Sequence, residues 1–148
     1  MCGESIAAGD IVRVARGWIG TPYHHQASVR GVGADCLGLV RGVWRELYGC
    51  DAEAPPPYSR DWAEASGFET MLSAAARHLR PVAPSEAQAG DVLVFRLRVG
   101  AVAKHAAILT GATTMIHSME GAAACEVALS PWWRRRIAGV FAFPGTER

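Results

Sequence analysis

In Gly33-Ala34-Asp35-Cys36-Leu37-Gly38-Leu39-Val40, a cysteine directly follows a residue suited to capping a helix. Asp35 is a good N-cap. From Asp35 or Cys36 to about Tyr48, closed by Gly49, the apolar residues Leu37, Val40, Trp44, Leu47 and Tyr48 recur at i, i+3/i+4, i+7 spacing, which predicts an amphipathic helix. A thiol at the first turn of a helix meets the needs of a nucleophile. The positive helix end favours the thiolate, and free backbone N–H groups can hold an oxyanion. Gly31, Gly33 and Ala34 leave room for a substrate backbone, and Gly38 keeps the first turn uncluttered. The same placement also fits a buried cysteine that merely opens a helix, because free cysteine is among the most buried residue types.

Working outward, Ile11, Val12, Val14, Ala15, Trp18 and Ile19 predict a helix over about 10–19, with Asp10 as N-cap and Gly20 as terminator. Thr21-Pro22-Tyr23 is extended, because proline disfavours the α region for the residue before it. Residues 24–34 read as a loop, and the proline-rich run 51–62, with Pro55-Pro-Pro-Tyr58, as a stiff surface connection. A third helix is expected over about 67–79 on Phe68, Met71, Leu72, Ala75 and Leu79, ended by Pro81 and Pro84. The period then changes to that of strands: Asp91–Arg96, Lys104–Thr110, Thr113–Ser118, the Ala-Cys-Glu-Val-Ala-Leu stretch ending at Leu129, and Ile137–Phe143. Helices first and strands second indicate an α+β fold, N-terminal helices packed on an antiparallel sheet of five to six strands. Without a repeat or linker, residues 1–148 are expected to form one domain.

At 148 residues, half of them hydrophobic, the chain can enclose a core, and its formal net charge of +1 shows no basic stripe for nucleic acid. No apolar run approaches the roughly 18 residues needed to span a bilayer, so membrane insertion is not expected. Met1–Asp10 lacks a basic region followed by an apolar one, so no secretory leader is expected. The four cysteines, Cys2, Cys36, Cys50 and Cys125, contain no CxxC pair and fit neither a zinc knuckle nor a disulfide framework. Cys50 and Cys125 read as small semi-buried hydrophobes.

Two histidines give Cys36 its chemical context. If the second and third strands form a hairpin around Thr110-Gly111-Ala112, His105 lies directly opposite His117 with both side chains on one face. Only an odd loop length does this; an even one sends the imidazoles to opposite faces. Two imidazoles beside a helix-terminal thiol supply a nucleophile, a base and a group that orients the base.

Gly20-Thr-Pro-Tyr23, Asp35-Cys-Leu-Gly-Leu-Val40, Gly90-Asp-Val-Leu-Val-Phe95, His105-Ala-Ala-Ile-Leu-Thr-Gly111 and Ile116-His117 together closely resemble the NlpC/P60 cysteine peptidases, in that family's order, across about residues 10–143. The likeness is strongest to the bacteriophage branch, small peptidases encoded with tail genes and proposed to open the cell wall during DNA delivery. The resemblance implies a papain-like fold with Cys36 as nucleophile, His105 as general base and acid, and His117 orienting His105. It further implies that the Tyr23 hydroxyl lies near the oxyanion; Asp35 and His24, beside Cys36 and Tyr23, are expected to border the substrate. The typical substrate is a peptidoglycan stem peptide, cut between D-γ-glutamate and the diamino acid, with no cofactor or metal. Two departures bear on substrate preference: Leu37 stands where the family usually has serine, and His24-His-Gln-Ala follows the tyrosine in place of Trp-Gly-Gly.

His24-His25 reads as a wall of the substrate groove, since adjacent loop histidines rarely chelate together. Trp132-Trp-Arg-Arg-Arg136 reads as a solvated turn with the tryptophans packed inward. Two rival functions share these residues: a catalytically idle tail component of the same fold, and an amidase or acyltransferase. Without a leader, such an enzyme is expected to be made in the cytoplasm, packaged in a phage tail or tail-like particle beside tail or baseplate proteins, and to act at the cell wall.

Overall fold

The computed structural model describes residues 5–52 and 69–148. Helix α1 spans Ala8–Arg16 and buries Ile11, Val12 and Ala15; Trp18, just beyond it, is also buried. The helix starts two residues before the predicted N-cap, so Asp10 sits inside the first turn instead of capping it. It also stops earlier than predicted. Tight i→i+3 bonds from Trp18 N to Ala15 O and Ile19 N to Arg16 O unwind its end, and Ile19 turns outward.

The predicted loop 24–34 contains a small antiparallel hairpin, β1 (Ser28–Val29) and β2 (Gly33–Ala34). Helix α2 then runs Cys36–Tyr48, capped by Asp35 and closed by Gly49 in the left-handed conformation at φ 80°, as the sequence indicated. Its buried face differs from the predicted one. Leu39, Val43, Gly38 and Gly42 are buried, whereas Val40, Trp44, Leu47 and Tyr48 are half-buried at the margin of the core. The glycines explain this. A Cβ at Gly42 would lie 2.0 Å from the Trp18 ring, and one at Gly38 would lie 1.8 Å from the Ala27 carbonyl oxygen. The closest approach of α2 to the rest of the protein is therefore made by residues with no hydrophobic signal. Cys50, at the end of this helix, is exposed instead of semi-buried.

Helix α3 spans Thr70–His78; the predicted start at 67 and Phe68 lie outside the described residues, as does the Pro55-Pro-Pro-Tyr58 run. A six-stranded antiparallel sheet follows, in the order β3 (Arg80–Val82), β8 (Ile137–Ala142), β4 (Val92–Phe95), β5 (His105–Leu109), β6 (Thr114–His117), β7 (Cys125–Ala128). Sequence reasoning took Pro81 as a helix end and missed β3. This strand lies at the sheet edge, where proline's missing N–H breaks no ladder.

Both faces of the central strands are buried, so β4 and β5 read as unbroken apolar runs. Val92, Val94, Ala106, Ile108 and Ile116 pack towards α1 and α2 with Ile11, Trp18 and Leu39. Leu93, Phe95, Ala107, Leu109 and Met115 pack on the other face with Val140 and Leu129. A four-residue helix, α4 (Pro131–Arg134), covers part of that second face through Trp133.

A half-buried ion pair holds the C-terminal residues to the sheet. The fully buried Asp91 carboxylate accepts from Arg148 Nη1 at 2.8 Å, from Arg148 Nη2 at 3.1 Å and from Gln88 N at 2.9 Å. Arg148→Ala leaves that charge without its cation, and we expect a loss of about 2 kcal/mol in urea unfolding, less than for a fully buried pair because Arg148 lies at the surface and water can replace it. Adding Asp91→Asn should recover part of the loss; full stability of the single variant would contradict the role given to this pair.

Candidate active site

The site lies where one end of the sheet meets the start of α2. The Asp35 carboxylate caps that helix, Oδ1 accepting from Gly38 N at 2.7 Å and Oδ2 from Gln26 N at 2.8 Å. The cap makes Cys36 the first helical residue. Its thiol Sγ lies 3.8 Å from the Lys104 carbonyl oxygen, beside the residue that opens β5.

His105 is directly opposite Phe95 across β4–β5, and Leu93 opposite Ala107, so the side chain of His105 leaves the sheet on the face away from α2. His117 shares this face with Met115 two residues before it. The two imidazoles meet, with His105 Nε2 2.9 Å from His117 Nδ1 and both residues buried. The predicted face is right, but the register is not. Ile108 pairs with Ile116 and Leu109 with Met115, which places His105 and His117 diagonally across the ladder. The turn closes at Thr110 N to Thr114 O, 2.9 Å, with the two threonine hydroxyls 2.8 Å apart, so the loop is Gly111-Ala112-Thr113. Its length is still odd, and a diagonal pair remains within reach of long side chains.

Cys36 and His105 line one open cleft of about 170 Å³, together with Tyr23, Asp35, Leu37 and His25. His117 stands behind His105, outside that lining. Tyr23 is held beside Ala34 by an isolated parallel bridge. Of the two adjacent histidines, His25 lines the cleft and lies 4.0 Å from Asp35 Oδ2, whereas His24 is exposed and outside the lining. The two open a turn closed by Ala27 N donating to His24 O at 3.1 Å, and only His25 borders the cleft.

Ser118 and Glu120 are among the other residues of the cleft wall and were missed in the sequence. Ser118 carries a signal only in retrospect: next to His117, its hydroxyl donates to Ala34 O at 2.8 Å and ties the end of β6 to β2. In the sequence Glu120 is a single acidic residue before Gly121, with no pattern to mark it. Trp133 was read as inward-packed, and it is; its neighbour Trp132 is exposed, with the Arg136 guanidinium 3.7 Å from its ring centre.

Burial sets the resting charge of the site. It pushes the Cys36 thiol up to about 12; the Asp35 charge adds to the rise, while N–H groups of Ala106, Leu37 and Cys36 itself oppose it. Burial, then the neighbouring His117, push His105 down to about 3, and burial lowers His117 as well. A neutral thiol and the neutral imidazole of His105 thus share the cleft wall at neutral pH, with the neutral imidazole of His117 behind. Among the described residues, no cluster of three or more His, Cys, Asp or Glu side chains is arranged to hold a metal ion.

The fold matches that of known proteins. A structure of the NlpC/p60 domain of peptidoglycan hydrolase SagA superposes with a TM-score of 0.67 at 24% identity, covering 93% of this chain and all of that one. The peptidoglycan hydrolase RipB from Mycobacterium tuberculosis superposes at 0.57 and 22% identity, over 95% of this chain and 66% of that one. At these identities the likeness establishes the fold. In sequence, the chain is 27% identical over 134 residues to the gamma-DL-glutamyl hydrolase of Bacillus subtilis (strain 168), covering 90% of this chain but only 29% of that protein's length. Residues 20–142 match the NlpC/P60 family, a span that contains Tyr23, Cys36, His105 and His117, and the chain belongs to that family.

Proposed function

We propose that the protein is a cysteine peptidase that cuts peptidoglycan stem peptides between D-γ-glutamate and the diamino acid. One arrangement carries the proposal: a thiol at a capped helix start shares a cleft with an imidazole whose far nitrogen is committed to a second imidazole. The family supports a wall substrate, and the name of the Bacillus subtilis relative supports the γ-glutamyl bond.

In this reading His117 holds His105 through Nε2 and leaves Nδ1 to take the Cys36 proton. Each charged form is unfavourable alone in this buried setting, but thiolate and imidazolium attract strongly at low dielectric, and the helix end favours the thiolate. The thiolate sulfur bonds to the scissile carbonyl carbon. The Cys36 N–H, with the Tyr23 hydroxyl beside it, receives the oxyanion. Collapse breaks the C–N bond, and the amine leaves with the proton from His105. His105 then takes a proton from water, whose oxygen attacks the thioester and frees Cys36. Leu37 and His25, on the cleft wall, contribute to substrate selection.

We also propose the setting: one catalytic domain made in the cytoplasm, carried in a phage tail or tail-like particle beside tail or baseplate proteins, and opening the wall during DNA delivery. Its support is the likeness of the five sequence blocks to the phage branch.

Cys36→Ala should reduce the release of peptides from purified peptidoglycan by about a thousandfold or more, in line with loss of a nucleophile. Mass spectrometry of the wild-type digest should show new D-γ-glutamyl carboxyl termini. Lysis unchanged by Cys36→Ala would contradict the hydrolase assignment, and other termini alone would contradict the bond assignment. The pH profile follows from the lowered basicity of His105: the free base persists below 6.5, the ordinary histidine value. The acid limb of kcat/KM, which reports the free enzyme, should therefore fall below pH 6.5. A half-maximal point at or above that value would contradict a buried neutral base.

A further inference from the structure

We infer that Trp133 is a positioning residue for the His105–His117 pair, its indole holding the two imidazoles in contact from the sheet face opposite α2. The inference rests on the catalytic reading of His105. One indole meets both rings: its centroid lies 5.5 Å from that of His105 at an interplanar angle of 30°, and 5.3 Å from that of His117 at 88°. Phe95 closes the remaining side, 5.9 Å from His105 and 5.0 Å from Trp133. Turning the His105 ring away from its 2.9 Å contact with His117 would drive it into one of these two aromatic walls.

Trp133 is itself fixed from outside. It sits on α4, opened by Pro131, and Trp132 packs edge-on against it with centroids 4.9 Å apart. Arg136 stacks on Trp132, donates through Nη1 to Trp132 O at 2.8 Å and through Nε to Leu97 O at 3.3 Å. A chain of contacts thus runs from a surface cation through two indoles to the imidazole pair, and its last tie is to Leu97, a residue of the cleft wall.

The geometry also bears on the reaction. Proton transfer from Cys36 makes His105 an imidazolium beside the indole π system, within the roughly 6 Å over which such faces attract cations. That attraction is absent from the resting, neutral imidazole. Trp133 lies outside the cleft lining, so its effect should fall on kcat and spare KM.

The test compares Trp133→Leu with Trp133→Phe, using kcat and KM on a γ-D-glutamyl stem peptide together with the NMR resonance of the imidazole N–H shared by His105 and His117. The leucine variant should lose about tenfold or more in kcat with KM changed less than about twofold, and the N–H should exchange faster. The phenylalanine variant should restore most of the rate and the slow exchange. A leucine variant with wild-type kcat, or one whose kcat falls while the N–H stays protected, would overturn the inference. If amide dispersion shows that the leucine variant does not fold, Trp133→Met, which keeps volume without a ring, replaces it with the same two outcomes. If wild-type protein cuts no peptide, the hydrolase reading fails, and the imidazole resonance alone still decides the role of Trp133.

Discussion

The Asp35 carboxylate fixes the geometry on which the site depends. One oxygen receives the N–H of Gly38 and ends the search for where α2 begins; the other receives the N–H of Gln26 and ties the preceding loop to the same point. Because the carboxylate consumes the third N–H of the helix, those of Cys36 and Leu37 remain at the open end, beside the sulfur. The cap works only because α2 is pressed against Ala27 at Gly38, where any side chain would strike backbone. Cap and glycine are thus one device, which delivers a thiol and its amide dipoles to the end of a sheet.

The sheet supplies the other half from its opposite face. His105 stands at the first position of β5, so it can belong to the far face by pleat and still border the cleft by being at the strand end. Its distance from water keeps the imidazole neutral, which a base requires, and the same burial keeps the thiol protonated. Such a site is quiet at rest. On the proposed mechanism, charge separates only when a substrate excludes water and presents a carbonyl, and the aromatic wall of Phe95 and Trp133 would keep the base in place meanwhile.

Legibility in the sequence followed the range of each interaction. The start and stop of α2 were readable because Asp35 and Gly49 act within one turn of their own residues. The shared face of His105 and His117 was readable because the strand period is two and survives any even shift of register. The register itself was not, because it depends on the Thr110–Thr114 contact that draws Thr110 into the ladder. Nor was the buried face of α2, where Gly38 and Gly42 make the close contacts, or β3, where an edge position shelters Pro81. The cleft composition was only partly legible: the His24-His25 pair was readable as groove wall but not which of the two faces it, and Ser118 and Glu120 come from the connection after β6, which only the folded sheet end brings to the cleft.

The central claim is that Cys36 forms a covalent bond with the substrate acyl group. Acid-quenching a reaction with a γ-D-glutamyl stem peptide and mapping the proteolysed protein by mass spectrometry tests it directly. The account predicts an acyl adduct on the peptide that carries Cys36 and none on those carrying Cys50 or Cys125, with more adduct when water attack is slowed. Continued hydrolysis with no adduct at Cys36 under any quench, or an adduct at another cysteine, would contradict it.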